Sequence, residues 1–222
     1  MTISNGTEFT TGLTDLINGI VALIPIFYLL RKRPLSRRNR LWITTLSLFV
    51  IVSFLGAMIH MFEYSEGIKM WMRALIYPFI CLMLSYFVLS VRYDADKGNN
   101  FDLFYKIHIG VTLVLSVVLV IFNYFYTFVT FRIFSVFCLV NMIYIIIILI
   151  KAARKDRRFL WYFLAVFIFI IGNILQLNRG IYFKFGDLEF NNNGAYHFTT
   201  LIFTLLMFKG IKELDQSENH QE

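Results

Sequence analysis

Charged side chains are scarce in this sequence, making up 16% of 222 residues against ~25% in an average soluble domain, while 58% of residues are hydrophobic. That shortage excludes an ordinary water-facing surface and leaves no room for a separate soluble domain between the apolar runs. Cysteine is nearly missing. Its two copies, Cys81 and Cys138, sit inside apolar runs away from any oxidant, so neither a disulfide nor a thiolate metal site is expected. Histidine is limited to four residues. No internal repeat is visible, which argues against the two-half symmetry of many transporters. The lead before the first apolar run has no basic side chain, so that run reads as a retained helix and not a cleaved signal peptide.

What the chain does have is aromatic and aliphatic bulk, including 25 Phe and 12 Tyr, which suits a lipid-facing surface with interfacial belts. Seven runs approach the ~20 apolar residues needed to cross ~30 Å of hydrocarbon. They are Thr11 to Leu30, Leu41 to Phe62, Ala74 to Val91, Tyr105 to Phe122, Tyr126 to Ile150, Phe159 to Leu177, and Ala195 to Phe208 with an extension toward Leu214. Backbone polar groups in lipid must be satisfied within the segment, so these runs read as helices. The expected fold is all-α: a polytopic membrane protein whose single domain, residues 1–222, is a seven-transmembrane-helix bundle.

The net charge is +7 and the pI about 9.4. The basic residues stand in clusters between apolar runs, not interleaved with aromatic stacking positions, which argues against a nucleic-acid partner. Sixteen Lys and Arg fall on one side, led by the six between Arg31 and Arg40, against Lys69, Arg73, Arg179 and Lys184 on the other. The N-terminus is therefore expected outside and the C-terminus in the cytoplasm. Short loops on so compact a chain point to a bacterial plasma membrane, with membrane lipid as the partner and the oligomeric state open. The tail from Asp215 to Glu222 is polar and reads as frayed.

Ionisable groups inside such runs are costly and mark candidate sites. In the first run Thr11, Thr14, Asp15 and Asn18 share one helical face. Asp15 either looks into the bundle or serves as a helix-start group that favours the dipole. The second run ends Ser53-Phe54-Leu55-Gly56-Ala57-Met58-Ile59-His60-Met61-Phe62-Glu63, placing His60 near the outer end with Gly56 one turn below it and Ser53 two turns below. Glu63, three residues on, either orients the His60 imidazole or is itself a ligand; the alternative is an interfacial His60–Glu63 pair facing headgroups. His197 opens the last run behind Asn192 or Asn193 as helix cap, with Thr200 on its face. It is either a ligand or a helix-start histidine bonding the external loop. Asn173 and Gln176 lie on one face of the sixth run and Arg132 in the outer part of the fifth, all candidate pocket-lining groups, although buried amides commonly bond across helices. The external loop from Asn178 to Gly194 either folds over the bundle mouth or supplies interfacial aromatic anchors. His108 falls at the inner end and His220 in the tail. Asp15, His60 and His197 together make a donor set suited to zinc, which accepts imidazole nitrogen and carboxylate oxygen.

Seven helices, an acidic residue opening the first, a small-residue turn followed by His60 in the second, and His197 opening the seventh resemble the CREST superfamily, which includes alkaline ceramidases and the progestin and adiponectin receptors. The resemblance implies a catalytic zinc held by one histidine from helix two and two from helix seven, near a serine and an aspartate on helices two and three. His60 would then be the helix-two ligand, His197 a helix-seven ligand, and Ser53 the counterpart of the serine. A second helix-seven histidine four residues away would fall on Asn193 or Leu201, and the third run has no aspartate between Ala74 and Val91; Asp15 or Glu63 would stand in. Two functions follow as expectations. One is a zinc-dependent hydrolase of lipid amide or ester bonds, with Asp15, Glu63 and Ser53 as catalytic candidates. The other is a non-enzymatic seven-helix sensor or ligand-binding protein without metal.

Overall fold

The computed structural model describes residues 2–4, 6–96, 100–178 and 180–218. Lys97 and Arg179, counted above for orientation, lie outside them. Among the described residues the fold is an all-α bundle of seven helices: α1 (Gly6–Leu30), α2 (Arg37–Met61), α3 (Glu66–Ala95), α4 (Phe101–Phe125), α5 (Thr127–Lys155), α6 (Leu160–Leu177) and α7 (Asn192–Glu218). A 3-10 turn, Arg157–Phe159, leads into α6. Two small antiparallel pairs complete it. β1 (Thr2–Ile3) pairs with β2 (Phe62–Glu63), and β3 (Tyr182–Phe185) pairs with β4 (Leu188–Asn191) between α6 and α7.

Six helices, α1 to α6, are long and apolar enough to cross a membrane. Large apolar side chains cover their outer faces, among them Phe27, Val114, Leu139 and Phe167, all more than half exposed. This is the make-up of an integral membrane protein. α7 falls short of that apolarity because His197, Thr199, Thr200, Thr204, Lys209 and Lys212 interrupt it. Its three threonines are buried, so the polar side of α7 faces the bundle interior.

Most helices extend beyond their apolar runs. Hydrogen bonding continues through polar residues until a cap ends it. α2 starts at Arg37, where Ser36 accepts from the Asn39 amide at 3.1 Å, and α1 starts at Gly6, five residues before the apolar run.

Glycines set the antiparallel registers. A Cβ on Gly12 would overlap Met61, one on Gly56 would lie 2.6 Å from Asp15 Oδ2, and one on Gly19 would lie 3.3 Å from Ser53 Cβ. These contacts pair α1 with α2 along more than two turns, at a separation that a larger side chain forbids. Gly172 against Thr199 and Gly210 against the Tyr162 ring do the same for α6 and α7.

The main apolar core lies toward the end where α1 finishes and α2 begins, with Leu29, Trp42, Val88, Leu149, Tyr162 and Ile211 fully or almost fully enclosed. A buried ionic clasp sits there. Asp94 of α3 accepts from Arg38 Nε at 2.7 Å, Trp42 Nε1 at 3.0 Å and the Tyr162 hydroxyl at 2.8 Å. Arg38 also reaches the Ile211 carbonyl at 3.2 Å and Asp215 at 3.5 Å, and Asp215 accepts from Tyr28 at 3.0 Å and pairs with Lys32. Asp215 is thus buried in α7, not frayed, because Lys32, Arg38 and Tyr28 draw it in. The clasp joins α1, α2, α3, α6 and α7.

Removing one partner of a buried pair strands the other charge, which costs about 3–5 kcal/mol, whereas an exposed pair contributes about 0–1 kcal/mol. Asp94→Ala is therefore expected to lower the thermal unfolding midpoint in detergent sharply. Asp102→Ala, which removes only the exposed partner of Arg37, should leave the midpoint nearly unchanged.

Candidate functional site

At the opposite end, where α1 and α7 begin and α2 finishes, the bundle interior is polar: Thr10, Thr11, Asp15, Asn18, Thr199 and Thr200 are all buried. Asp15 lies nine residues past the start of α1, about two and a half turns in. It is therefore not a helix-start group. Its carboxylate points between α2 and α7, where the missing side chain of Gly56 makes room for it. Oδ1 meets His197 Nδ1 at 2.8 Å; Oδ2 is buried and has no hydrogen-bond partner among the described residues.

His60 enters from the last turn of α2. Its ring centroid stands 6.3 Å from that of His197, nearly edge to face. One ligand atom from each of Asp15, His60 and His197 lies within 4.8 Å of the others, a spacing that can close around one metal ion. The first two helices and the last, from opposite ends of the sequence, supply the set.

Asn18 fixes the α7 side of the site. Its Nδ2 donates to the His197 carbonyl at 2.9 Å and to Thr200 Oγ1 at 2.7 Å, while Thr200 donates to the same carbonyl at 2.7 Å. The start of α7 is held by Asn191, whose Oδ1 accepts from the Asn193 and Gly194 amides at 3.0 Å each, so the cap lies one residue before Asn192. Gln176 donates to Asn193 Oδ1 at 2.8 Å and accepts from Asn192, tying α6 to α7 behind the site.

The segment between α6 and α7 forms a hairpin that folds over the beginning of α1. Gly186 turns it with φ +59, a backbone conformation that suits glycine. Phe183 stacks on Phe190 at 5.0 Å, and Thr10 donates to the Glu189 carbonyl. Lys184 bonds Glu189 at 2.6 Å and holds that carboxyl below its ordinary pKa.

Other expected members lie elsewhere. α2 ends at Met61 and the chain turns into β2, so Glu63 does not occupy the helical position three residues beyond His60; it is exposed, opposite Thr2. Ser53 is buried against Gly19, seven residues and about 10 Å along α2 from His60. Asn173 turns back on its own helix, donating to the Phe169 carbonyl at 2.7 Å. Arg132 is exposed on α5, which packs on α3, α4 and α6.

One member was missed in the sequence. Glu8 Oε2 lies 2.8 Å from His60 Nδ1, the position expected of Glu63. Because α1 starts at Gly6, Glu8 and Asp15 share a face at i and i+7, and that spacing is the signal that would have found it.

A methyl group at position 56 would drive into the Asp15 carboxylate, and overpacking of this kind costs about 1–3 kcal/mol. Gly56→Ala is expected to lower the thermal unfolding midpoint in detergent. Gly67→Ala, where a Cβ meets nothing within 4 Å, should not lower it.

No curated protein matches the chain. Residues 10–216 match DUF6962, a family of unknown function, and the match takes in Asp15, His60 and His197 while stopping short of Glu8. By that match, over nearly its whole length, the chain belongs to the DUF6962 family.

Proposed function

We propose that this protein is a seven-span membrane hydrolase with an outward-facing metal centre, zinc by the chemistry of its donors, acting on amide or ester bonds of lipids. The observation that carries the reading is the convergence of Asp15, His60 and His197, with ligand atoms within 4.8 Å, at one end of an apolar bundle. A buried carboxylate oxygen without a partner among the described residues, Asp15 Oδ2, supports it, since such an oxygen is costly unless something positive meets it. In this reading α7 is the seventh span, its polar side turned inward, and the excess of Lys and Arg in the loops at the other end sets the N-terminus outside. The membrane is a bacterial plasma membrane, and the resemblance to the CREST superfamily points to the same reaction class.

A bound zinc ion would lower the pKa of water and polarise a substrate carbonyl. The chain's own residues do the rest. Asp15 supplies the third donor from its carboxylate, whose Oδ1 lies 2.8 Å from His197 Nδ1. Asn18 and Thr200 lock the His197 carbonyl, so the imidazole keeps its position when a substrate arrives. The apolar side chains around the bundle place the acyl part of a lipid beside the site. Glu63 and Ser53 have no role in this reading, since neither is among the three residues whose ligand atoms meet.

The test is metal analysis by mass spectrometry on protein purified in detergent without chelators. Wild type is expected to carry close to one zinc per chain, and His60→Ala, His197→Ala and Asp15→Asn to lose it; lipid amides and esters are then screened with wild type. Metal-free wild type would sink the hydrolase and leave the non-enzymatic binding or sensing reading. Iron in place of zinc would redirect it to oxygen chemistry, which also uses two histidines and one carboxylate.

A further inference from the structure

The metal centre has two imidazoles, and α1 lays out two carboxylates to match them. Glu8 and Asp15 stand two turns apart on one face of α1, with Gly12 between them. Gly12 lets the end of α2 approach so closely that a Cβ there would overlap Met61. His60, the neighbour of Met61, is thereby brought to Glu8. The two contacts repeat one geometry: Glu8 Oε2 to His60 Nδ1 at 2.8 Å, and Asp15 Oδ1 to His197 Nδ1 at 2.8 Å. With its Nδ1 held by the Glu8 carboxylate, His60 would carry its proton there and leave Nε2 as the metal-binding nitrogen.

Resting on the metal reading, we propose that Glu8 is the positioning residue for His60, fixing its tautomer and the direction of its imidazole. The two carboxylates also match the charge of a divalent ion. Glu8 is the outermost member, its side chain 56% exposed against 7% for Asp15, so the centre is graded from a wet mouth to a dry floor. Glu63, the alternative on the same end of α2, is carried away by β2.

The experiment is zinc affinity by chelator competition on full-length protein in detergent, for wild type, Glu8→Gln, Glu8→Asp and Glu63→Gln. Loss of an outer carboxylate of this kind weakens metal binding about 10–100-fold. Glu8→Gln is expected to fall in that range, Glu8→Asp between it and wild type, and Glu63→Gln to match wild type. Cobalt(II) supplies a second readout: at saturation the visible bands of Glu8→Gln should differ from wild type, while the metal-free variant melts where metal-free wild type does. Wild-type affinity in Glu8→Gln, or weakening only together with a lowered metal-free melting midpoint, overturns the assignment of Glu8. Wild type that binds no zinc overturns instead the metal reading beneath it.

Discussion

A carboxylate placed among apolar helices must meet a partner on another helix, because neither lipid nor hydrocarbon side chains can solvate it. Two such meetings organise this bundle. At one end Asp94 gathers Arg38, Trp42 and Tyr162; at the other Asp15 meets His197 between α1 and α7. The two carboxylates differ in their partners among the described residues. Each Asp94 oxygen accepts at least one hydrogen bond, whereas Asp15 retains a buried oxygen with none.

The division of labour follows the packing. Large enclosed side chains such as Trp42, Leu149 and Ile211 fill the end with the clasp, where shape alone sets a single arrangement. Threonine, asparagine and histidine fill the other, where hydrogen bonds such as Asn18 to His197 set it. α1, α2 and α7 run through both ends, so the helices that carry Asp15, His60 and His197 are the ones that the clasp anchors through Tyr28, Arg38 and Asp215.

Much of this was legible in the sequence. The apolar runs fixed the number and order of the helices, since nothing but helix satisfies a backbone over such lengths. Asp15, His60 and His197 stood out because each interrupts a run otherwise free of charge. Glu63 was the natural partner for His60 only while α2 was assumed to continue; its end at Met61 moved that role to Glu8, which the sequence had left in a polar lead. The clasp was hidden for a different reason. Arg38 read as one of six loop cations and Asp215 as part of a solvated tail, and only the tertiary approach of α2, α3 and α7 reveals them as partners. Loop charge reports topology, and it says nothing about which member turns inward.

Gly12 and Gly56 carry no reactive atom, yet the Asp15 cluster is shaped by them as much as by its acids and imidazoles. The cavity that Asp15 enters is the volume of one absent methyl group. A graft of this site onto another helical scaffold must therefore carry two empty positions along with its reactive residues. A scaffold holding every acid and imidazole but alanine at either gap would present the same functional groups, spread too far apart to meet one another.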